Sequence, residues 1–146
     1  MKKAIIVDLD GTLCDVQHRV HLVENEPVDW KKFHSSLVHD TMNDWCFQLI
    51  KAMSSLGVEI ILLTGRGEEY RQETETWLRK QSVKYKTLYM RRVKDERTDA
   101  IIKKEVYVEH VKNTYETLFV VEDRKSVVEM WREIGVTCLQ CDWGDF

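Results

Sequence analysis

The chain has 146 residues, 43% of them apolar, which suffices for a single domain with its own core and excludes a fold that depends on disulfide staples. Its formal net charge of −3 and pI of about 6.0 exclude a global positive field that would draw it to nucleic acid or anionic lipid, so any nucleic-acid contact must be local. Without a run of about 18 apolar residues or a signal-type start, and with the cysteines Cys14, Cys46, Cys138 and Cys141 too sparse for a disulfide framework, the sequence predicts a soluble, cytoplasmic protein with no membrane partner.

In chain order, residues 3–7 form a first apolar strand and residues 58–63 a second. Residues 87–90, 118–121 and 136–140 read as three more. Their near-continuous apolar character predicts strands buried on both faces. Trp45, Leu49, Ala52, Met53 and Leu56 mark one stripe of a helix that Asn43 or Asp44 would cap and Gly57 would stop. Residues 68–81 open with acids suited to a helix N-terminus, residues 98–111 form a further helix, and Val127, Met130, Trp131 and Ile134 mark a last one before Gly135. The alternation predicts an α/β fold: a Rossmann-like, doubly wound parallel sheet of about five strands with helices on both faces. The stretch 14–43 is an insert after the first strand, with one short helix expected around residues 30–37. One domain spanning 1–146 with a small cap follows.

Sheets of this kind bind ligands at the carboxyl ends of their strands, and polar clusters fall at those places. Val-Asp-Leu-Asp-Gly-Thr-Leu, residues 7–13, sets Asp8 and Asp10 just past strand one. Thr64-Gly65-Arg66 follows strand two, Glu122-Asp123 follows strand four, and Lys103 and Lys104 sit in the helix before it. Asp-Gly alone ordinarily marks a turn, and an acidic pair alone would serve as a helix cap; the conjunction points to chemistry. The sequence does not choose between the two lysines. Cys138 and Cys141 have redox spacing but no second ligand pair, so they read as small packing residues, and the five histidines show no ligand spacing with the acids.

With these four clusters in order, the chain resembles the haloacid dehalogenase superfamily of phosphotransferases, whose motifs are an Asp-x-Asp-Gly-Thr loop, a Ser or Thr after the second strand, a Lys and a terminal acidic pair. A phosphate monoester is doubly negative, and a carboxylate about 4 Å away meets roughly 4 kcal/mol of repulsion per charge pair at an effective dielectric near 20, so such acids need a cation. Hard oxygen ligands without Cys or His select Mg²⁺. The resemblance implies that Asp8 attacks phosphorus to give an aspartyl-phosphate, while Asp10 protonates the leaving alkoxide and then activates water. It further implies that Asp8, Asp123 and the Asp10 backbone carbonyl hold Mg²⁺, with Glu122 as the other acid of the pair, that Thr64 donates to a phosphoryl oxygen, and that Gly11 turns backbone N–H groups toward the phosphate.

Arg97-Thr-Asp-Ala-Ile-Ile-Lys-Lys-Glu, Val121-Glu-Asp-Arg-Lys-Ser-Val-Val-Glu-Met-Trp-Arg and the terminal Gly144-Asp145-Phe146 are similar to the 3′-phosphatase domains of the bacteriophage polynucleotide kinase/phosphatase family. That resemblance selects Lys103, implies substrate-binding roles for Arg19, Arg66, Gly65 and Asp99, and implies 3′-phosphorylated RNA or DNA ends as substrate. The family's terminal Asp-Asp pair is Glu122-Asp123 here. No Gly-x-x-x-x-Gly-Lys-Ser/Thr loop matches, so a kinase half and a nucleotide cofactor are not expected. A small cap leaves the cleft open to a polymer end, and Arg91, Arg92, Lys94 and Arg97 are either a strand-tracking patch or a solvated loop. The sequence also admits a phosphatase for free nucleotides or other small esters and a non-catalytic end binder, and leaves open whether the protein is a homo-oligomer.

Overall fold

Ile5, Ile6 and Val7 give β1 (Lys2–Val7) apolar side chains on both faces, and in the computed structural model, which describes residues 1–145, β1 accordingly lies at the centre of a parallel sheet. Phe146, part of the terminal match noted above, lies outside the described residues. The elements follow as β2 (Cys14–Asp15), α1 (Gln17–Glu24), α2 (Trp30–Ser35), β3 (Thr41–Met42), α3 (Asp44–Ser55), β4 (Glu59–Gly67), α4 (Arg71–Lys80), β5 (Thr87–Arg91), α5 (Asp99–Val106), β6 (Tyr115–Glu122), α6 (Lys125–Glu133) and β7 (Cys138–Gln140). The five-stranded sheet has the order β5-β4-β1-β6-β7, every pairing parallel. The strand order reverses between β1 and β6, so the switch point lies beside the carboxyl ends of those two strands.

Alternation along β1 distributes the core. Ile5 and Val7 pack with Cys46, Ile50, Trp77 and Leu78 from α3 and α4, whereas Ala4 and Ile6 pack with Val111, Val127 and Trp131 on the α5 and α6 side. Both layers are dry and apolar, which fixes the strand register and with it the places where the polar residues emerge.

The structure departs from the sequence expectation at several edges. β4 runs on to Gly67, beyond residue 63, so Thr64-Gly65-Arg66 belong to the strand's end; its register against β5 shifts between Leu63 and Gly67. The helix expected over 68–81 begins as a 3₁₀ turn, Glu68–Tyr70, before α4. The helix expected over 98–111 is α-helical to Val106 and then widens into a π turn over Tyr107–Val111. β6 starts at Tyr115, three residues earlier than expected. The insert holds two helices rather than one, α1 and α2, followed by a 3₁₀ turn at Ser36–His39 and framed by the antiparallel β2–β3 ribbon. Asn43 precedes α3 without capping it through its side chain; its amide donates instead to the Thr12 carbonyl at 2.8 Å, tying that helix to the loop after β1.

Candidate active site

The loop after β1 closes on itself. Gly11 N–H donates to the Cys14 carbonyl at 2.9 Å and Thr12 N–H to the Leu9 carbonyl at 3.0 Å, so these two amides hold the turn. Gly11 is required for two reasons. Its φ is +81°, and a Cβ there would lie 2.2 Å from an Asp123 carboxylate oxygen. The first motif and the last therefore meet at a point where only hydrogen fits.

Asp8 is buried at the end of β1, its N–H bonded to the Val121 carbonyl of β6 at 3.1 Å. Lys103, fully enclosed on α5, donates to Asp8 Oδ1 at 2.9 Å and to Glu122 Oε2 at 2.7 Å; Lys104, one residue on, is exposed. Helix phase thus turns Lys103, the lysine that the family resemblance selects, into the site. Thr12 Oγ1 lies 3.3 Å from Asp8 Oδ2 and 3.4 Å from Asp123 Oδ1. Asp8, Glu122 and Asp123 each bring a carboxylate oxygen within 4.8 Å of the others. Burial, and next the charge on Asp8, pushes the Glu122 and Asp123 carboxyls up. Burial works against the Lys103 charge, but Asp8, Glu122 and Asp99 outweigh it and hold the ammonium well above its ordinary range. Three acids facing one lysine can all be ionised together only beside a further cation, and the donors are all hard oxygens, a set that fits a small divalent cation. Both Glu122 oxygens already accept hydrogen bonds, from Lys103 and from the Arg124 N–H at 3.2 Å.

Asp10 sits differently. Its Oδ1 accepts from Arg19 Nη2 at 2.7 Å and from Arg66 Nη2 at 2.7 Å and Nε at 3.0 Å. Burial would raise its carboxyl, yet the Arg66 and Arg19 charges prevail and hold it well below the usual carboxylate range. Both guanidiniums are themselves enclosed: Arg19 Nη1 donates to the Phe33 carbonyl with its plane over the Phe33 ring, 4.2 Å from the centroid, and Arg66 Nη1 donates to Thr74 Oγ1.

What balances them is Asp40, a residue no sequence argument singled out. Its carboxylate accepts from Arg19 Nε at 2.8 Å and Nη2 at 2.7 Å and from Arg66 Nη2 at 3.2 Å, and lies 2.6 Å from His18 Nε2. Asp40 lies in the insert, 30 residues after Asp10 and outside any recognisable motif, so only the closing of the insert over the loop brings it in. Asp10, Cys14 and Asp40 also cluster, but the arginines already neutralise both acids.

At the end of β4, Thr64 Oγ1 accepts the Arg66 N–H at 3.1 Å, which leaves its own proton to donate elsewhere. A Cβ on Gly65 would fall 2.5 Å from Asp99 Oδ1, so glycine lets α5 approach the strand. Asp99 accepts from Arg91 and, at 2.9 Å, from Arg124 Nη1. Burial is outweighed by Lys103, Arg124 and Arg91, and the Asp99 carboxyl is held down. Of the basic stretch 91–97, Arg91 turns inward to Asp99 and to the Gly65 carbonyl, and Arg97 pairs with Asp95 and Glu105, so two of its four charges are matched within the chain. Cys138 and Cys141 are free thiols that burial pushes up to about 12, in keeping with packing residues. Asp8, Asp10, Lys103, Glu122, Asp123 and Asp99 all border one open cleft of about 680 Å³, whose other wall is α2.

The model of the polynucleotide kinase PNKP phosphatase domain matches residues 2–146. The chain belongs to that family. It is a phosphatase of the haloacid dehalogenase superfamily, and enzymes of that superfamily generally use Mg²⁺. A chain in a solved Pnkp1/Rnl/Hen1 complex is 37% identical and superposes with a TM-score of 0.88, covering all of this chain and 48% of that one. A putative bifunctional polynucleotide kinase/RNA ligase of Autographa californica nuclear polyhedrosis virus is 24% identical over 136 residues, 92% of this chain and 18% of that protein. The class C acid phosphatase of Bacillus anthracis, at 18% identity and TM-score 0.65 over 91% of this chain and 61% of its own, shares the fold. The chain thus spans about half, or less, of the first two proteins' length. Among the described residues no helix is long and apolar enough to cross a membrane.

Proposed function

We propose that this phosphatase domain hydrolyses terminal 3′-phosphates of RNA or DNA through an aspartyl-phosphate on Asp8, with Mg²⁺ held by Asp8, Asp123 and the Asp10 backbone carbonyl. The observation that carries the reading is the pairing of a buried carboxylate, Asp8, with Lys103 and Asp123 at the β1/β6 switch point, inside a cleft that a two-helix cap leaves open. When bound, Mg²⁺ would screen phosphate against the acids.

The remaining work falls to side chains. Asp8 Oδ1 is oriented by Lys103, which also places a positive charge beside the transferring phosphoryl group; Glu122, with both oxygens engaged, positions that lysine. Thr64 donates its hydroxyl proton to a phosphoryl oxygen. Asp8 attacks phosphorus and the P–O bond to the sugar breaks; Asp10 gives its proton to the leaving 3′-oxygen, then takes one from the water that attacks the phosphoryl-enzyme, releasing inorganic phosphate and regenerating Asp8. In the ligand-free site Asp10 is ionised and gripped by two arginines. Incoming anionic oxygens compete for those forks, which loosens the grip and lets Asp10 regain the proton it must donate.

The supporting kinship is with chains of polynucleotide-processing proteins, one of them in a complex solved as an RNA repair assembly. The direct test is phosphate release from a 3′-phosphorylated oligonucleotide. Release with Mg²⁺, loss in EDTA and loss in Asp8→Asn are the expected results; undiminished turnover in Asp8→Asn would remove covalent catalysis at this residue.

A further inference from the structure

The cleft has one wall the chemistry above does not use. On α2, Trp30, His34 and, across from the cap, Tyr70 form a column of rings: Trp30 and His34 stack with centroids 6.0 Å apart and planes 23° off parallel, and His34 meets Tyr70 at 5.2 Å and 33°. His34 Nδ1 is buried with no hydrogen-bond partner, so ring packing rather than a polar contact holds that side chain in the column. Phe33, whose ring carries the Arg19 guanidinium, meets Trp30 edge-on at 5.6 Å. The column therefore ends one ring beyond the arginine that grips Asp10. Its last member is Trp30, 49% exposed and bordering both the catalytic cleft and an adjoining hollow of about 580 Å³. An indole stacked on one ring, met edge-on by a second and still half exposed is costly to leave in water and is a platform for another flat ring.

We infer that Trp30 is a specificity-determining residue on which the base of the phosphate-bearing terminal nucleoside stacks. The inference rests on the 3′-end reading and deepens it: with the phosphate at Asp8 and Lys103, the sugar lies along the cap wall of the cleft and its base continues the Trp30–His34–Tyr70 column. Stacking does not read hydrogen-bonding edges, so any base is accepted, and the contact sets how well a nucleoside is preferred over a bare sugar phosphate. Toward the next phosphates the adjoining hollow is mainly acidic: Glu24, Asp142 and Asp145 border it together with Arg124, whose Nη1 already donates to Asp99 at 2.9 Å.

The experiment compares kcat/KM for two 3′-phosphorylated oligonucleotides that differ only in whether the terminal residue carries a base or is abasic, in wild type, Trp30→Ala and Trp30→Phe. Base stacking contributes enough that the wild-type preference for the base-bearing end should be roughly tenfold, residing mainly in KM. Trp30→Ala should bring that ratio to about one and Trp30→Phe should keep most of it. A ratio unchanged in Trp30→Ala, or a wild type that cleaves both ends equally well, overturns the stacking role while leaving the 3′-phosphatase reading standing. A wild type that releases phosphate from neither end but is active on an unrelated phosphate monoester overturns the 3′-end reading and this one with it.

Discussion

Asp40 is enclosed by Arg19, Arg66 and His18, so removing its charge leaves two buried guanidiniums sharing only Asp10. Breaking a buried ion network from one side costs about 3–5 kcal/mol, and Asp40→Ala should lower stability on that scale in urea melts and slow turnover as Arg19 and Arg66 shift against Asp10. A loss below about 1 kcal/mol would mean that water already screens the cluster. Asp8, Asp10, Thr64, Lys103 and the Glu122-Asp123 pair were legible in the sequence because each lies within a residue or two of a strand end or on a helix leading to one, and the strand pattern was plain. Asp40 was not, since nothing local distinguishes an Asp in a polar insert. Its meaning comes from two arginines 21 and 26 residues away. The apolar pattern of α5 alone left Lys103 and Lys104 undistinguished; the family resemblance selected Lys103, and the phase of α5 gives the physical reason.

At the scale of elements, the central sheet followed from its apolar runs, and the differences lie at its polar edges. β4 continues through Thr64-Gly65-Arg66 because Arg66 finds Asp10, Asp40 and Thr74 as partners, a tertiary cause that overrides the loss of apolar character. α1 escaped the sequence reading because its Leu22 falls off the stripe of Val20 and Val23 and no side chain caps it; it forms by packing on α2 and by holding Arg19 over Phe33. The approach of α5 to the end of β4 depends on Gly65, where a methyl would stand 2.5 Å from Asp99 Oδ1. Gly65→Ala should therefore shift the first turn of α5, displace Lys103 from Asp8, and cut kcat at least about tenfold while the protein stays folded, since geometric misplacement of catalytic groups costs rate steeply. Near-native kcat in that variant would show that Asp99 yields without moving the lysine.

For the molecule as a whole, the balance of charge at the β1/β6 switch point couples metal, proton and stability. Glu122 and Asp123 have raised carboxyls, so in metal-free protein the folded state holds protons that the unfolded chain has released; stability then falls as pH rises from the ordinary carboxylate range upward. A divalent cation must displace those protons, so its binding strengthens with pH. A fixed Mg²⁺ concentration should raise Tm more at about pH 8 than at about pH 6, and Asp123→Asn should erase most of the difference. An equal Tm gain at both pH values would place the cation elsewhere. In the proposed function this open cleft removes phosphate from the 3′ end of a strand. Its most direct measurement is kcat/KM for a 3′-phosphorylated oligonucleotide against its 5′-phosphorylated isomer and the matching 3′- and 5′-mononucleotides, under one set of conditions with Mg²⁺. A clear preference for the 3′-phosphorylated strand is expected; a preference for 5′-phosphates, or for mononucleotides over both strands, would contradict the proposed function.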